Sequence, residues 1–208
     1  ANRAFTKTGL KVVFHLLNDK LLVNKTQREV ADTVGVGLGN IPQVISGLRQ
    51  TGYLIPFRKQ EYVWQNRKEL LDRWINAYAT ELRPKLRKGK YTFKKDWHTI
   101  QLDSKHTVWG GELAADKLTN HLRPENFVLY TDEKQKDLIT NYHIVPQKNG
   151  ELEVLEIFWK PKGEVAKEKK AKCRDRHFCK DDAPYSSTHK LGTDNISSFN
   201  HNLWSQYD

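Results

Sequence analysis

The chain has 208 residues, 38% of them hydrophobic and 29% charged, and carries a formal net charge of +10. This is the composition of an ordinary soluble globular protein with room for one large or two small domains, and it excludes a fully disordered, collagen-like or long coiled-coil chain. No apolar run approaches the roughly 18 to 20 residues of a membrane helix and no basic-then-apolar leader opens the sequence, so a cytoplasmic protein with no membrane partner is expected.

Two cysteines, Cys173 and Cys179, are too few for a secreted disulfide framework and fit a reducing compartment. The sequence holds no methionine and begins at Ala1, so a processed end, a tag remnant or a truncated start is expected, the last of which would leave out domains upstream. Charge is unevenly placed. Residues 1–64 hold nine Lys/Arg against four Asp/Glu and residues 65–100 hold ten against four, whereas residues 101–159 hold six against ten. A basic half joined to an acidic segment points to a polyanion-binding domain attached to a part with another task; the alternative is a basic protein with no nucleic-acid partner.

In chain order, Leu10, Val13, Phe14 and Leu17 repeat at helical period and predict three turns ending near Asn18–Asp19. Thr26-Gln27-Arg28-Glu29 has the form of a capping box and starts a second helix that runs to about Thr33. Gly35, Gly37 and Gly39 then force a turn, because each costs about 1 kcal/mol relative to alanine inside a helix. A third helix is predicted over about 40–51, with Asn40 as N-cap, Pro42 in the first turn and Gly52 as the left-handed stop. Its inward face is Ile41, Val44, Ile45 and Leu48, which leaves Asn40, Gln43, Ser46, Arg49 and Gln50 outward. Two apolar runs, 53–57 and 61–64, flank Arg58-Lys59-Gln60 and predict a hairpin with a basic tip.

Helix, capped helix, glycine turn, helix and basic hairpin in about 64 residues is the order of a winged helix-turn-helix. Placed in a major groove, the third helix would set Gln43 and Gln50 against adenine edges and Arg49 against guanine or phosphate, with Asn40 and Ser46 on the same face. Arg58 and Lys59 would meet the adjacent minor groove or its phosphates, and Lys7, Lys11 and Arg28 are candidates for phosphate contacts that position without specifying. The alternative is a winged helix that serves as a protein-interaction module, with the same side chains as solvated surface.

Leu70, Leu71, Trp74, Tyr78 and Leu82 predict an amphipathic linker helix over about 67–82. Pro84 is expected to interrupt it, and the basic run 85–90 reads as a connecting loop, with the domain boundary near 84–90. Beyond it, Gly110-Gly111 reads as a turn before a helix over about 112–122, and Phe127 to Tyr130 as a buried strand. Asp132 is expected to cap a helix over about 133–141. Residues 143–145 and 151–159 flank Asn149-Gly150 and predict a hairpin. The expected fold is therefore α+β, an N-terminal winged helix-turn-helix followed by a small α/β C-terminal domain with a poorly ordered tail.

The stretch Val108-Trp109-Gly110-Gly111-Glu112-Leu113-Ala114-Ala115-Asp116-Lys117-Leu118-Thr119-Asn120-His121-Leu122-Arg123-Pro124, followed by Phe127-Val128-Leu129-Tyr130-Thr131, resembles the transcriptional-regulator antitoxins of the AbiEi type. Asn2-Arg3-Ala4-Phe5-Thr6-Lys7-Thr8-Gly9-Leu10 resembles the lead into the winged helix in that group, and the likeness spans about residues 2–159. The resemblance implies the antitoxin of a type IV toxin-antitoxin pair used in abortive phage defence. It implies a winged helix that binds repeats in its own promoter on double-stranded DNA and represses the operon. It also implies a C-terminal domain associated with antitoxicity against a nucleotidyltransferase-like toxin without a stable complex, and often an additional N-terminal domain. On this reading residues 1–66 are the DNA-binding domain, 67–90 the linker helix and basic connector, 91–160 the antitoxin-like domain and 161–208 an irregular tail.

The tail departs from that pattern. Only 14 of the 49 residues from Lys160 onward are hydrophobic, which predicts poor order where the family continues with an apolar strand and helix; a slip of reading frame is one explanation. Cys173, His177, Cys179 and His189 carry zinc-ligand chemistry at a spacing that matches no finger or ribbon, so no metal and no cofactor is expected.

A restriction-type nuclease or a nuclease-associated DNA-binding subunit is the competing enzyme reading. It would use Asp132, Glu151, Glu153, Glu156 and Lys160. Glu156 and Lys160 are four apart, however, and make no tight acid-x-lysine pair on a strand. Gly110-Gly111 is followed by no P-loop lysine and hydroxyl. With no defensible Ser/His/Asp group or nucleophilic cysteine, a non-enzyme is expected.

Overall fold

A computed structural model describes residues 2–59, 61–110 and 127–159, and it is a mixed α+β structure. A single 3-10 turn, Arg3–Phe5, leads into helix α1, Lys7–Asn18. The helix starts a turn before its apolar stripe because the Thr6 hydroxyl caps it, accepting from the Gly9 N–H at 3.3 Å. Helix α2, Gln27–Val34, opens on the expected capping box: the Glu29 N–H donates to the Thr26 hydroxyl, and the Glu29 carboxylate accepts from the Thr26 N–H at 2.9 Å. The Thr26 hydroxyl and then its backbone N–H hold the Glu29 carboxyl below its ordinary range. Gly35 ends the helix in the left-handed conformation, at φ 76°.

Helix α3 spans Asn40–Gln50 and buries the face its sequence marks, Ile41, Val44, Ile45 and Leu48. Its cap is Gly39 rather than Asn40. The Asn40 amide turns back instead and donates to the Gly37 carbonyl at 3.0 Å, tying down the glycine turn. Strands β1, Leu54–Arg58, and β2, Glu61–Trp64, pair antiparallel as the predicted hairpin. Asn24 binds the backbone of Tyr62 on both sides, at 2.8 and 3.1 Å, and the Trp64 indole donates to the Lys20 carbonyl at 2.9 Å. Two side-chain anchors thus fix the hairpin to the segment after α1.

Helix α4, Arg67–Ala77, buries Leu70, Leu71 and Trp74 as predicted. It lies antiparallel on α1: Arg67 donates to the Leu17 carbonyl at 2.7 Å, and seven residues later Trp74 donates to the Leu10 carbonyl at 2.8 Å. The expected break at Pro84 does not occur. Residues Tyr78–Leu82 form a π-helical turn in which the Arg83 N–H reaches back to the Tyr78 carbonyl, and α5, Arg83–Leu86, continues past it. Proline lacks an N–H and its ring collides with the carbonyl four residues back; the inserted residue of a π turn relieves both.

The basic run expected as a loop is the end of α5 and the first half of strand β3, Arg87–Phe93. β3 stands between β7, Leu152–Glu156, and β6, Ile144–Pro146, pairing antiparallel with each. The predicted hairpin of β6 with β7 is therefore split by a third strand. The connection 147–150 crosses β3 instead, and an added Cβ at Gly150 would stand 1.9 Å from the Tyr91 carbonyl oxygen. Strand β4, Thr107–Gly110, pairs with β5, Phe127–Thr131, and β5 runs parallel to β7, giving the order β4-β5-β7-β3-β6. Gly110 is thus the last residue of a strand rather than part of a turn. Helix α6, Gln135–Tyr142, is capped at Lys134, not Asp132. The helix expected over 112–122, the tail 161–208 and the Cys/His group lie outside the described residues.

The sheet has two buried faces. Leu129, Leu138, Tyr142, Ile144, Leu152 and Val154 lie on one. On the other, Val128, Tyr130 and Leu155 join Ile157 and Phe158 in the same core as α1, α3 and α4. Phe14 meets Phe158 edge-on at 5.1 Å, and Trp74 stacks on Tyr78 at 5.1 Å. The helix read as a linker is therefore the shared wall between the N-terminal helices and the sheet.

Candidate functional site

Helix α3 divides cleanly along its length. While Ile41, Val44, Ile45 and Leu48 are buried, Gln43, Ser46, Arg49 and Gln50 are exposed and Asn40 is half-buried. The exposed side ends in amide, hydroxyl and guanidinium groups, with Gln50 Nε2 3.5 Å from the Ser46 hydroxyl. Gln43, Ser46 and Gln50 line an open cleft of about 470 Å³ together with Pro42, Gly47, Asn2 and Arg3.

Asn2 and Arg3 come to this cleft by an arrangement the sequence reading missed. The Asn2 amide donates to the Gly47 carbonyl in the middle of α3 at 3.0 Å, and its oxygen accepts from the Ala4 N–H at 2.9 Å. A Cβ on Gly47 would stand 2.2 Å from that Asn2 oxygen, and one on Gly9 would stand 1.9 Å from the Arg3 carbonyl. Two helix-interior glycines, each a poor helix former, therefore admit the 3-10 turn against α1 and α3. That pair of glycines was the available signal.

The remaining predicted contact residues lie outside the lining of this cleft. Arg49 and Asn40 belong to α3 but do not line the cleft. Lys7 is exposed in the first turn of α1; Lys11 is half-buried one turn on, its carbonyl 2.8 Å from the ring nitrogen of His15; Arg28 is exposed in the first turn of α2. Burial holds the His15 imidazole below its ordinary pKa against the opposing pull of that carbonyl. On the hairpin, Arg58 is the last residue of β1, opposite Glu61, so the turn proper begins at the exposed Lys59. The Arg58 guanidinium lies 5.1 Å from the Phe57 ring. The same strands expose Ile55 (40%), Phe57 (63%) and Val63 (48%) on one face, an apolar surface not foreseen.

The carboxylates considered for a nuclease are dispersed. Asp132 lies 2.9 Å from the His106 ring. Glu151 accepts from the Thr92 hydroxyl and the Phe93 N–H at 3.0 and 3.1 Å. Glu153 is buried against Arg83 and, at 3.2 Å, Arg87, while Glu156 is exposed at the end of β7. Lys160 lies outside the described residues, among which no three metal-ligating side chains converge. Nor does any helix there have the length and apolarity to cross a membrane.

In comparison with known proteins, a family model described as "Transcriptional regulator, AbiEi antitoxin, Type IV TA system" matches residues 63–173. The match begins in β2 and takes in α4 and the whole sheet. No curated protein and no solved structure matches the chain.

Proposed function

The chain belongs to the AbiEi antitoxin family of type IV toxin-antitoxin systems, and from that premise we propose that it is a sequence-specific DNA-binding autorepressor. Residues 1–66 act as a winged helix-turn-helix on repeats in its own promoter. Gln43, Ser46, Arg49, Gln50 and Asn40 meet base edges, Arg58 and Lys59 meet the flanking minor groove or its phosphates, and Lys7, Lys11 and Arg28 meet the backbone. The sheet region carries antitoxicity against a nucleotidyltransferase-like toxin in the cytoplasm, with no stable complex.

The observation that carries this reading is the polar outer face of α3, which stands free in solvent beside a hairpin whose basic end is also exposed. A helix that buried this face against the sheet would be useless for groove reading. The test is a mobility shift of the full chain on a duplex containing the repeats upstream of its gene. Alanine at Arg49 and Lys59 lowers affinity and flattens its salt dependence; unchanged binding in both variants contradicts the proposal.

One observation favours a second reading, a winged helix used as a protein-interaction module: the apolar face of Ile55, Phe57 and Val63. That reading expects Phe57→Ser to abolish a protein complex while leaving duplex binding intact.

A further inference from the structure

The 3-10 turn Arg3–Phe5 is built onto α3 with more fixings than a chain lead-in requires. Its middle residue, Ala4, is fully buried, and the Thr6 hydroxyl donates to the Arg3 carbonyl at 3.0 Å. Asn2 is bonded to the Gly47 carbonyl at 3.0 Å, and both glycines that touch the turn lack room for a Cβ. Phe5 is covered by the Arg73 guanidinium, 4.0 Å from its ring centroid. All of this holds Arg3, an exposed cation, in the lining of the cleft that Gln43, Ser46 and Gln50 also line.

We infer that this turn is a third DNA-contacting element: Arg3 takes a backbone phosphate beside the bases that α3 faces, and Asn2 is the positioning residue that holds it there. The inference rests on the DNA-binding reading above and adds to it a residue outside both helix α3 and the hairpin. A guanidinium matches a phosphate in a two-pronged geometry, and a backbone already fixed by three hydrogen bonds gives up little freedom when the contact forms. The cleft is open to solvent and carries amide, hydroxyl and guanidinium groups beside Pro42 and Gly47, a lining that suits an anionic diester edge.

The experiment is a salt titration of full-chain binding to a labelled duplex carrying the upstream repeats, from about 50 to about 200 mM salt, for wild type, Arg3→Ala, Arg3→Lys, Asn2→Ala and the Asn2→Ala/Arg3→Ala double variant. Arg3 is exposed, so its replacement leaves the melting temperature unchanged. The expected result is a fall of about 0.9 in the log-log salt slope for Arg3→Ala and about an eightfold loss of affinity near 0.1 M salt, with the slope retained in Arg3→Lys. Asn2→Ala lowers the slope similarly, and adding Arg3→Ala to it changes little further. If wild type binds and Arg3→Ala keeps the wild-type slope, this inference falls and the DNA reading stands; additive losses in the double variant overturn the positioning role of Asn2. If wild type does not bind the duplex, the DNA reading falls and the inference with it.

Discussion

The hydroxyls of Tyr78 and Tyr130 meet at 2.6 Å, the first on the π turn after α4 and the second the next-to-last residue of β5, with both rings fully buried. Burial drives both phenols above their ordinary pKa, so both stay neutral across the physiological range. On the same face of the sheet Glu153 is held by Arg83 and Arg87. The seam between the helices and the sheet is therefore polar at its center and aromatic around it, and the two halves are expected to unfold as one unit.

Replacing Tyr78 by Phe removes one hydroxyl from that pair and is expected to cost about 1 to 3 kcal/mol of stability, the range for disturbing a buried hydrogen bond. Tyr130→Phe should cost a similar amount, and the double variant should cost less than the sum because the same contact is removed twice. Urea unfolding monitored by tryptophan fluorescence measures this. Two separate transitions in wild type would contradict the shared core.

Glu153→Ala removes the buried carboxylate from both Arg83 and Arg87, and is expected to cost about 1 to 3 kcal/mol. Arg87→Ala should be milder, since Arg87 is half-exposed and Arg83 still pairs with Glu153. The check is the difference between their unfolding midpoints; equal midpoints would show that Arg83 does not carry the pair.

How far the sequence reveals this arrangement depends on what each element uses to fold. The capping box of α2, the inward stripe of α3 and the buried positions of α4 are local signals, complete within a few turns, and all are legible. β3 is not. Its residues Arg87, Lys88 and Lys90 look like a solvated connector, and only pairing with two strands 51 to 68 residues away makes them a strand. The π turn likewise compensates a proline in a way no local pattern announces. At the candidate site, the outer face of α3 follows from helical period alone, whereas Asn2 and Arg3 join it through a contact that spans 45 residues. The Asn40 side chain is a different case: its residue type suits an N-cap, but the preceding glycine already starts the helix.

Gly47→Ala tests the packing of the 3-10 turn. The new Cβ would stand 2.2 Å from the Asn2 oxygen, so Asn2 must withdraw and its bond to the Gly47 carbonyl must break. The substitution gains about 1 kcal/mol of helix propensity that offsets the loss, so global stability should change little while the Ala4 amide exchanges faster with solvent. Gly9→Ala meets backbone rather than a side chain and should destabilise markedly. Unchanged exchange at Ala4 in Gly47→Ala would contradict the contact.

His15 gives a pH dependence of defined sign. Burial lowers its pKa in the folded chain, so the unfolded chain takes up the proton first as pH falls. This contribution to stability is fully present above the unfolded value of about 6.5 and is lost as pH drops below it toward the folded value. His15→Gln should therefore show a weaker decline in melting temperature between about pH 7 and about pH 5 than wild type; parallel curves would contradict it.

Whether the outer face of α3 reads bases is measured by the ratio of affinities for the upstream repeat and a scrambled duplex of equal length at one salt concentration. Wild type is expected to show a clear preference for the repeat that falls by about 1 to 3 kcal/mol with each of Gln43→Ala and Gln50→Ala, while affinity for the scrambled duplex is nearly unchanged. A preference that survives in the Gln43→Ala/Gln50→Ala double variant, or its absence in wild type, would contradict the account.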